Sequence, residues 1–402
     1  MDNKRTGPLA GLRILDVGTN IAGPFGATLL ADFGAEVIMI EPPKGGDPFR
    51  NMAPVYEGKS LTWVVLARNK KSVTLNLKTE KGQEILRKLV KISDVLIENF
   101  RPGTMEKWGL GWDVLKAINP GLIMVRVSGF GQDGPYRELA AYDRVAGAIG
   151  GLTYVTGYPD SPPVRVGVNL IDEIGGLFNA FATMMALYHR NTSGDGRGQW
   201  VDVSLCESIM RLLEGIITEY DKLGTVRERV GNSNEIVAPA ENFMTKDQKW
   251  MVFVVTSDNL FARLAVAIGM ESLAADPQFK TNIERVKNRE QLHEILRDWF
   301  RTKKVEEIKE LFAAHGIPVG QVYNARDIVE DPHNQARKNI IEIDDPEIGR
   351  VKMQDVTPRF SETPGEVISS APKLGEHNRG VYQELLGLPE QEIENLRRDG
   401  II

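Results

Sequence analysis

Cysteine is nearly absent. Cys206 stands alone in 402 residues, so the chain has no internal disulfide and no cysteine-built metal cluster to offer. It reads as a small buried hydrophobe between a strand and a helix. The five histidines, His189, His293, His315, His333 and His377, are too scattered for an HxxxH zinc pair, and no metal site is expected. HExxH, GxSxG and the phosphate-binding GxxxxGK signature are also missing, which argues against a metalloprotease, an α/β-hydrolase and a P-loop NTPase. No apolar run approaches the ~18 residues of a bilayer span, so no membrane crossing is expected. The N-terminal stretch MDNKRTGPLAGLRILDVG carries no apolar signal segment, and the expected setting is cytoplasmic. A basic excess is lacking too: 49 Lys and Arg against 55 Asp and Glu give a net charge of −6, a poor match to a nucleic-acid binder.

What remains is an ordinary globular composition, 42% apolar and 26% charged. The length is about 2.7 times a ~150-residue domain, so two domains are expected. The first half alternates strand and helix. Leu12–Val17, Glu36–Ile40, Val73–Leu77, Val95–Ile97, Ile123–Val127 and Trp200–Val203 read as buried strands; Ala22–Phe33, Lys81–Lys91 and Met105–Ile118 read as helices. This alternation predicts a doubly wound, Rossmann-like α/β domain that binds its ligand at the carboxyl ends of parallel strands. Residues 1–220 form its first part. Residues 221–240 read as a charged linker, 241–325 as a small α/β domain, and 326–402 as an irregular, proline-bearing return that closes on a helix near Val381–Leu386.

Three loops can carry chemistry. In the first, Gly18 to Gly26, the spacing G-x4-G-x2-G is not the dinucleotide fingerprint, although Glu41 ends the next strand where a ribose-binding acid would stand. Pro24 at a helix start and glycine for close packing explain that loop without a ligand. In the second, Asn69, Lys70, Lys71, Ser72, Lys78, Asn99, Phe100, Arg101 and Lys107 gather cations and polar groups near strand ends, which suits a phosphorylated ligand or a solvated basic rim. In the third, Asp172 precedes an apolar helix that carries Gly175 and Gly176 in its first turns. Asp172 there is either an N-cap or a nucleophile held ionised by free helix amides, which would also steady an oxyanion. Each glycine costs about 1 kcal/mol against alanine inside a helix, so a packed neighbour or a ligand must gain from the bare backbone.

The chain resembles the family III CoA-transferases, the group of formyl-CoA transferase and carnitine CoA-transferase, related to α-methylacyl-CoA racemase. The resemblance runs through GPLAGLRILDVGTNIAGPFGATLLADFGAEVIMIEPPKGGDPFR, NKKSVTLNLKTEKGQEIL, DVLIENFRPGTMEKWGL, VRVSGFGQDGPY, the Asp172 segment, GDGRGQWVDVSLCESI, HGIPVGQVYNARDIVEDP and APKLGEHNRGVYQELLG. It implies that Asp172 is the nucleophile. It also implies coenzyme A contacts at Ile21 and Ala22, at Leu75, Asn76 and Lys78, at Asn99, Phe100, Arg101 and Lys107, and around Tyr142. The formyl-CoA transferase pattern has glutamine at the place of Ile21, arginine at that of Pro42, and a glycine-rich loop where Thr256 to Asn259 stand here.

The reaction so implied moves CoA from an acyl-CoA thioester to a free carboxylic acid through a mixed anhydride and an aspartyl-CoA thioester, with neither metal nor permanently bound cofactor. The family's architecture implies a homodimer of interlocked rings. Two alternatives stay open: an acyl-CoA racemase, whose relatives carry histidine where Tyr142 stands, and a non-catalytic CoA-binding protein.

Overall fold

The computed structural model describes residues 6–402; the expectation of no signal segment falls partly on residues 1–5, which lie outside the described residues. Six strands, β1 Arg13–Asp16, β2 Glu36–Glu41, β3 Lys70–Thr74, β4 Val95–Glu98, β5 Ile123–Ser128 and β6 Trp200–Ser204, form one sheet in the order β3-β2-β1-β4-β5-β6. Every pairing in it is parallel; Ile14, for example, lies between Val37 and Val95. The strands are apolar on both faces because both are covered. Ile14, Val37, Ile97 and Val125 pack under the helices Ala22–Asp32 and Leu170–Thr192, whereas Leu15, Ile38 and Val73 pack under Glu80–Val90, Trp112–Ile118 and Glu390–Arg398. The strand order reverses between β1 and β4, and the crevice beyond their carboxyl ends is the place where this topology binds ligands.

The differences from the sequence reading have local causes. β3 lies at Lys70–Thr74 rather than Val73–Leu77 because its first residue is a buried lysine, neutralised by the Asp16 carboxylate at 2.9 Å. Apolar patterning does not register such a strand start. The expected Met105–Ile118 helix is two, Thr104–Lys107 and Trp112–Ile118, with Gly109 in the left-handed region (φ 63°) between them. The region read as irregular holds two short helices, Ala325–Glu330 and Pro332–Ala336, and an antiparallel hairpin of Ile340–Asp345 with Gly349–Gln354.

The chain divides into two compact units, one of residues 6–152, Val166–Gly215 and Gln335–Ile402, the other of Thr153–Arg165 and Ile216–Asn334. Residues 221–240, read as a linker, thus lie inside the second unit and include the end of the helix Ile216–Leu223. That unit holds a three-stranded antiparallel sheet of Ala240–Met244, Trp250–Val254 and Val319–Gln321. Phe243, Met251 and Phe253 pack beneath its helices with Phe261, Phe300 and Phe312.

Leu170–Thr192, with 23 residues, is by length and composition apolar enough to cross a membrane, contrary to the expectation drawn from the lack of long unbroken apolar runs. Asn179 and Thr183 interrupt the run, and both are buried with Gly175, Gly176 and Ala180 on the face that packs against the Ala22–Asp32 helix and the sheet.

Candidate active site

The loop after β1 is pinned residue by residue. The Gly18 N–H donates to Asp16 Oδ1 (3.1 Å), the Thr19 N–H to Asn99 Oδ1 (2.7 Å), and the Asn20 N–H to Asp47 Oδ2 (3.0 Å). Asn99 returns a second bond from Nδ2 to the Thr19 carbonyl (2.7 Å), so its amide clamps the β1 loop to the end of β4 across the switch point. The next helix starts immediately, and no hydrogen bond to the first-turn N–H groups of Ala22 and Gly23 is present among the described residues.

Ala22, the first of these two residues, lines a cavity of about 230 Å³. Its walls bring together Ile21, Ala22, Asn99, Phe100, Arg101, Tyr142 and Asp172 from the expected set. They add Thr19 from the Gly18–Gly26 loop, Gly129, and Ser128, Arg137 and Leu205, the last three not singled out by the sequence. A second cavity, about 510 Å³, shares Thr19 and Phe100 with the first and contains the expected Leu75, Asn76 and Lys78. Pro42, Pro43, Lys44, Trp108, Asp399 and Gly400 are also among its walls. Lys107 lines neither cavity; it is exposed at the end of a short helix, beside Trp108. Among the described residues Lys44, Lys78, Arg101 and Lys107 have no carboxylate partner.

The rest of the expected cation cluster is structural. Asn69 is buried and bonds Asp32 and the Glu366 carbonyl, Lys70 is spent on Asp16 and the Pro24 carbonyl, Lys71 pairs with Glu36, and the Ser72 hydroxyl donates to Glu41. Glu41 itself is buried and holds Arg50 through both carboxylate oxygens (2.6 and 2.7 Å), so it has no oxygen left over for a ribose.

Asp172 lies in the first turn of Leu170–Thr192, half-buried, and no hydrogen bond to its carboxylate is present among the described residues. The N-cap role goes elsewhere. Asp143, the first residue of the helix Asp143–Ile149, reaches across and accepts at Oδ2 from the N–H groups of Ile171 (2.9 Å) and Asp172 (3.3 Å). The expectation that free amides hold Asp172 ionised is therefore corrected: burial, then the Asp143 charge, then that of Glu173 push its carboxyl up to about 7. The amides expected to steady an oxyanion on this helix are likewise occupied, and the open ones belong to Ala22 and Gly23 on the neighbouring helix.

Gly175 and Gly176 answer to packing. A Cβ on Gly176 would meet Phe25 Cδ1 at 2.8 Å and the Ala22 carbonyl oxygen at 2.9 Å, and one on Gly175 would collide with Leu205. The two helices approach this closely because both are bare there. That contact sets Asp172 beside Ile21 and Ala22 in the same cavity.

A sequence model described as CoA-transferase family III matches residues 9–378. The chain is 44% identical to a succinyl-CoA–D-citramalate CoA-transferase of Chloroflexus aurantiacus, over 98% of each chain. It is 43% identical to the beta subunit of a succinyl-CoA–L-malate CoA-transferase of the same organism, again over 98% of each. Among solved structures it is similar to a CAIB/BAIF family protein from Brucella suis, with a TM-score of 0.85 and 33% identity, covering 95% of this chain and 100% of that one. On the parallel sheet, the paired cavities at its switch point and these matches across nearly the whole length, the chain belongs to CoA-transferase family III.

Proposed function

We propose that the chain moves CoA from a dicarboxylic acyl-CoA to a second dicarboxylic acid by covalent catalysis on Asp172. The observation that carries this reading is the Asp172 carboxylate itself: it stands in a cavity with no side chain or amide competing for it, and Ala22, Arg101 and Arg137 line the same cavity. The relatives named for succinyl-CoA with citramalate or malate support donors and acceptors that carry two carboxylates.

In the proposed cycle an Asp172 oxygen attacks the thioester carbonyl. The C–S bond breaks, leaving a mixed anhydride and CoA thiolate. The thiolate then attacks the aspartyl carbonyl and expels the donor carboxylate, so that Asp172 carries CoA as a thioester. The acceptor carboxylate attacks that thioester and releases the thiolate, and the thiolate takes the acceptor acyl group from the second anhydride, restoring Asp172. Covalent catalysis splits one difficult exchange into easier steps. Charge on each tetrahedral oxygen would fall to the amide of Ala22, which lines the same cavity. The second cavity would receive the nucleotide end of CoA, with Lys44 and Lys78 toward the phosphates and Leu75 and Trp108 toward the base, while Phe100 borders both ends.

The reading includes a cytoplasmic homodimer with interlocked subunits. An exposed apolar stripe on the Leu170–Thr192 helix, Leu177, Phe181, Met185 and Tyr188, supports a buried partner surface there.

Trapping tests the covalent step. Incubation with succinyl-CoA followed by hydroxylamine should leave a hydroxamate at Asp172, found by peptide mass spectrometry, and Asp172→Ala should lose about 10⁴-fold or more in kcat. Full activity in Asp172→Ala, or an adduct on another residue, overturns the reading.

A further inference from the structure

We propose that Asp143 is the positioning residue of the Asp172 nucleophile, capping its helical turn from a neighbouring helix and placing a fixed negative charge beside it. The inference rests on the covalent role of Asp172 proposed above. It begins with a gap in the helix Leu170–Thr192: its N-cap, Asn169, makes no side-chain bond to the first turn. The bonds that a local cap would supply come instead from Asp143, which is 7% exposed and belongs to a separate helix. Both bonds end on one oxygen, and one of the donors is the N–H of Asp172 itself. The nucleophile's own backbone is therefore tied to Asp143.

Two consequences follow. The first is aim, because the turn carrying Asp172 cannot rotate about the helix start without breaking the 2.9 Å bond to Ile171. The second is basicity. Helix amides ordinarily pull a nearby carboxylate down; here Asp143 consumes them and adds its own charge, and the Asp172 carboxyl rises to about 7, with burial the larger cause. A more basic aspartate suits the proposed chemistry. The tetrahedral intermediate can expel either the thiolate or the aspartate, and an ordinary thiol near ~8.5 loses that contest to an aspartate near ~3.9. Raising Asp172 narrows the gap and sends more of the intermediate forward. Besides Asp143, the charge acting on Asp172 is that of Glu173 on the same helix; Arg101, Arg137 and Tyr142, the last 70% exposed, are the other titratable side chains lining the cavity.

The test compares Asp143→Asn, which keeps the acceptor oxygen and loses the charge, with Asp143→Ala, which loses both, using succinyl-CoA and malate. In Asp143→Asn the acid limb of the kcat profile should move to lower pH and kcat at pH 8 should fall about tenfold, with KM for the CoA ester within twofold of wild type. Asp143→Ala should lose a further tenfold in kcat. Circular dichroism checks folding, and the near-isosteric Asn variant decides the matter if the Ala variant fails to fold. A wild-type pH profile and kcat in folded Asp143→Asn overturn the inference. Hydroxylamine trapping on the wild type keeps the two claims apart: no adduct sinks the aspartyl mechanism, whereas an adduct together with an unmoved Asn profile sinks only the role of Asp143.

Discussion

Asp172 occupies a helix start, where acids are normally stabilised as anions, yet its carboxyl rises to about 7 because burial and two neighbouring acids outweigh the helix. In the proposed cycle the working form is the anion, so kcat/KM should climb between pH 5 and 8 with a midpoint near 7, measurable with succinyl-CoA over a buffer series. Stability runs the opposite way. The folded protein holds a proton there that the unfolded chain, at 3.8, has already released, so this group's contribution falls as pH rises from about 4 to 7. Asp172→Asn should accordingly be more stable than wild type by about 2 kcal/mol at pH 8, after a discount for partial exposure, and by less at pH 5. Urea denaturation at the two pH values checks this, and a constant gap contradicts it. Asn99 shows what sequence can and cannot deliver at this scale. It was legible as a residue of the site, but both ends of its amide are used on the Thr19 backbone, its oxygen accepting from the N–H and its nitrogen donating to the carbonyl, and its role in the described structure is to hold the loop.

Elements were legible where one physical signal dominated. Val95–Glu98 and Ile123–Ser128 announce themselves because strands covered on both faces must be continuously apolar. The start of β3 was hidden because Lys70 and Asp16 satisfy one another across two strands 54 positions apart, a pairing that no local window contains. The Ile340–Asp345 hairpin was hidden by its length and by Pro346, although Ile341, Ile343, Val351 and Met353 alternate as strand residues should. The crossing of Ala22–Asp32 with Leu170–Thr192 was half legible: the glycines pointed to a close approach, but not to what approached. Gly176→Ala probes it. Alanine gains about 1 kcal/mol in helix propensity, but its methyl must displace the Ala22 backbone carbonyl at 2.9 Å, and overpacking costs about 1–3 kcal/mol. A net loss of about 1–2 kcal/mol in urea unfolding is expected, with a larger fall in kcat than in KM because Asp172 sits one turn away.

For the whole molecule, the proposed interlocked dimer makes a quantitative prediction. Native mass spectrometry should give twice 44.7 kDa, and dilution to nanomolar concentration should not release single chains, since threaded rings part only by unfolding. A monomer peak that grows on dilution contradicts interlocking, and a stable mass that needs a second, different chain would point to the arrangement implied by the alpha and beta subunits of relatives. The exposed stripe on Leu170–Thr192, with Phe181 at 56% and Tyr188 at 73%, belongs to this scale because the chain's own described structure leaves it open.

The second cavity carries a consequence for biosynthesis. One of its walls is Asp399 and Gly400, and the Asn76 N–H docks on the Ile401 carbonyl at 2.7 Å, so residues separated by more than three hundred positions share one rim. A ribosome makes the chain in one direction. The early strands can pair while translation continues, but this rim stays breached until residues 399–401 have left the exit tunnel, so a nascent polypeptide lacks a finished second cavity however well its sheet has already formed.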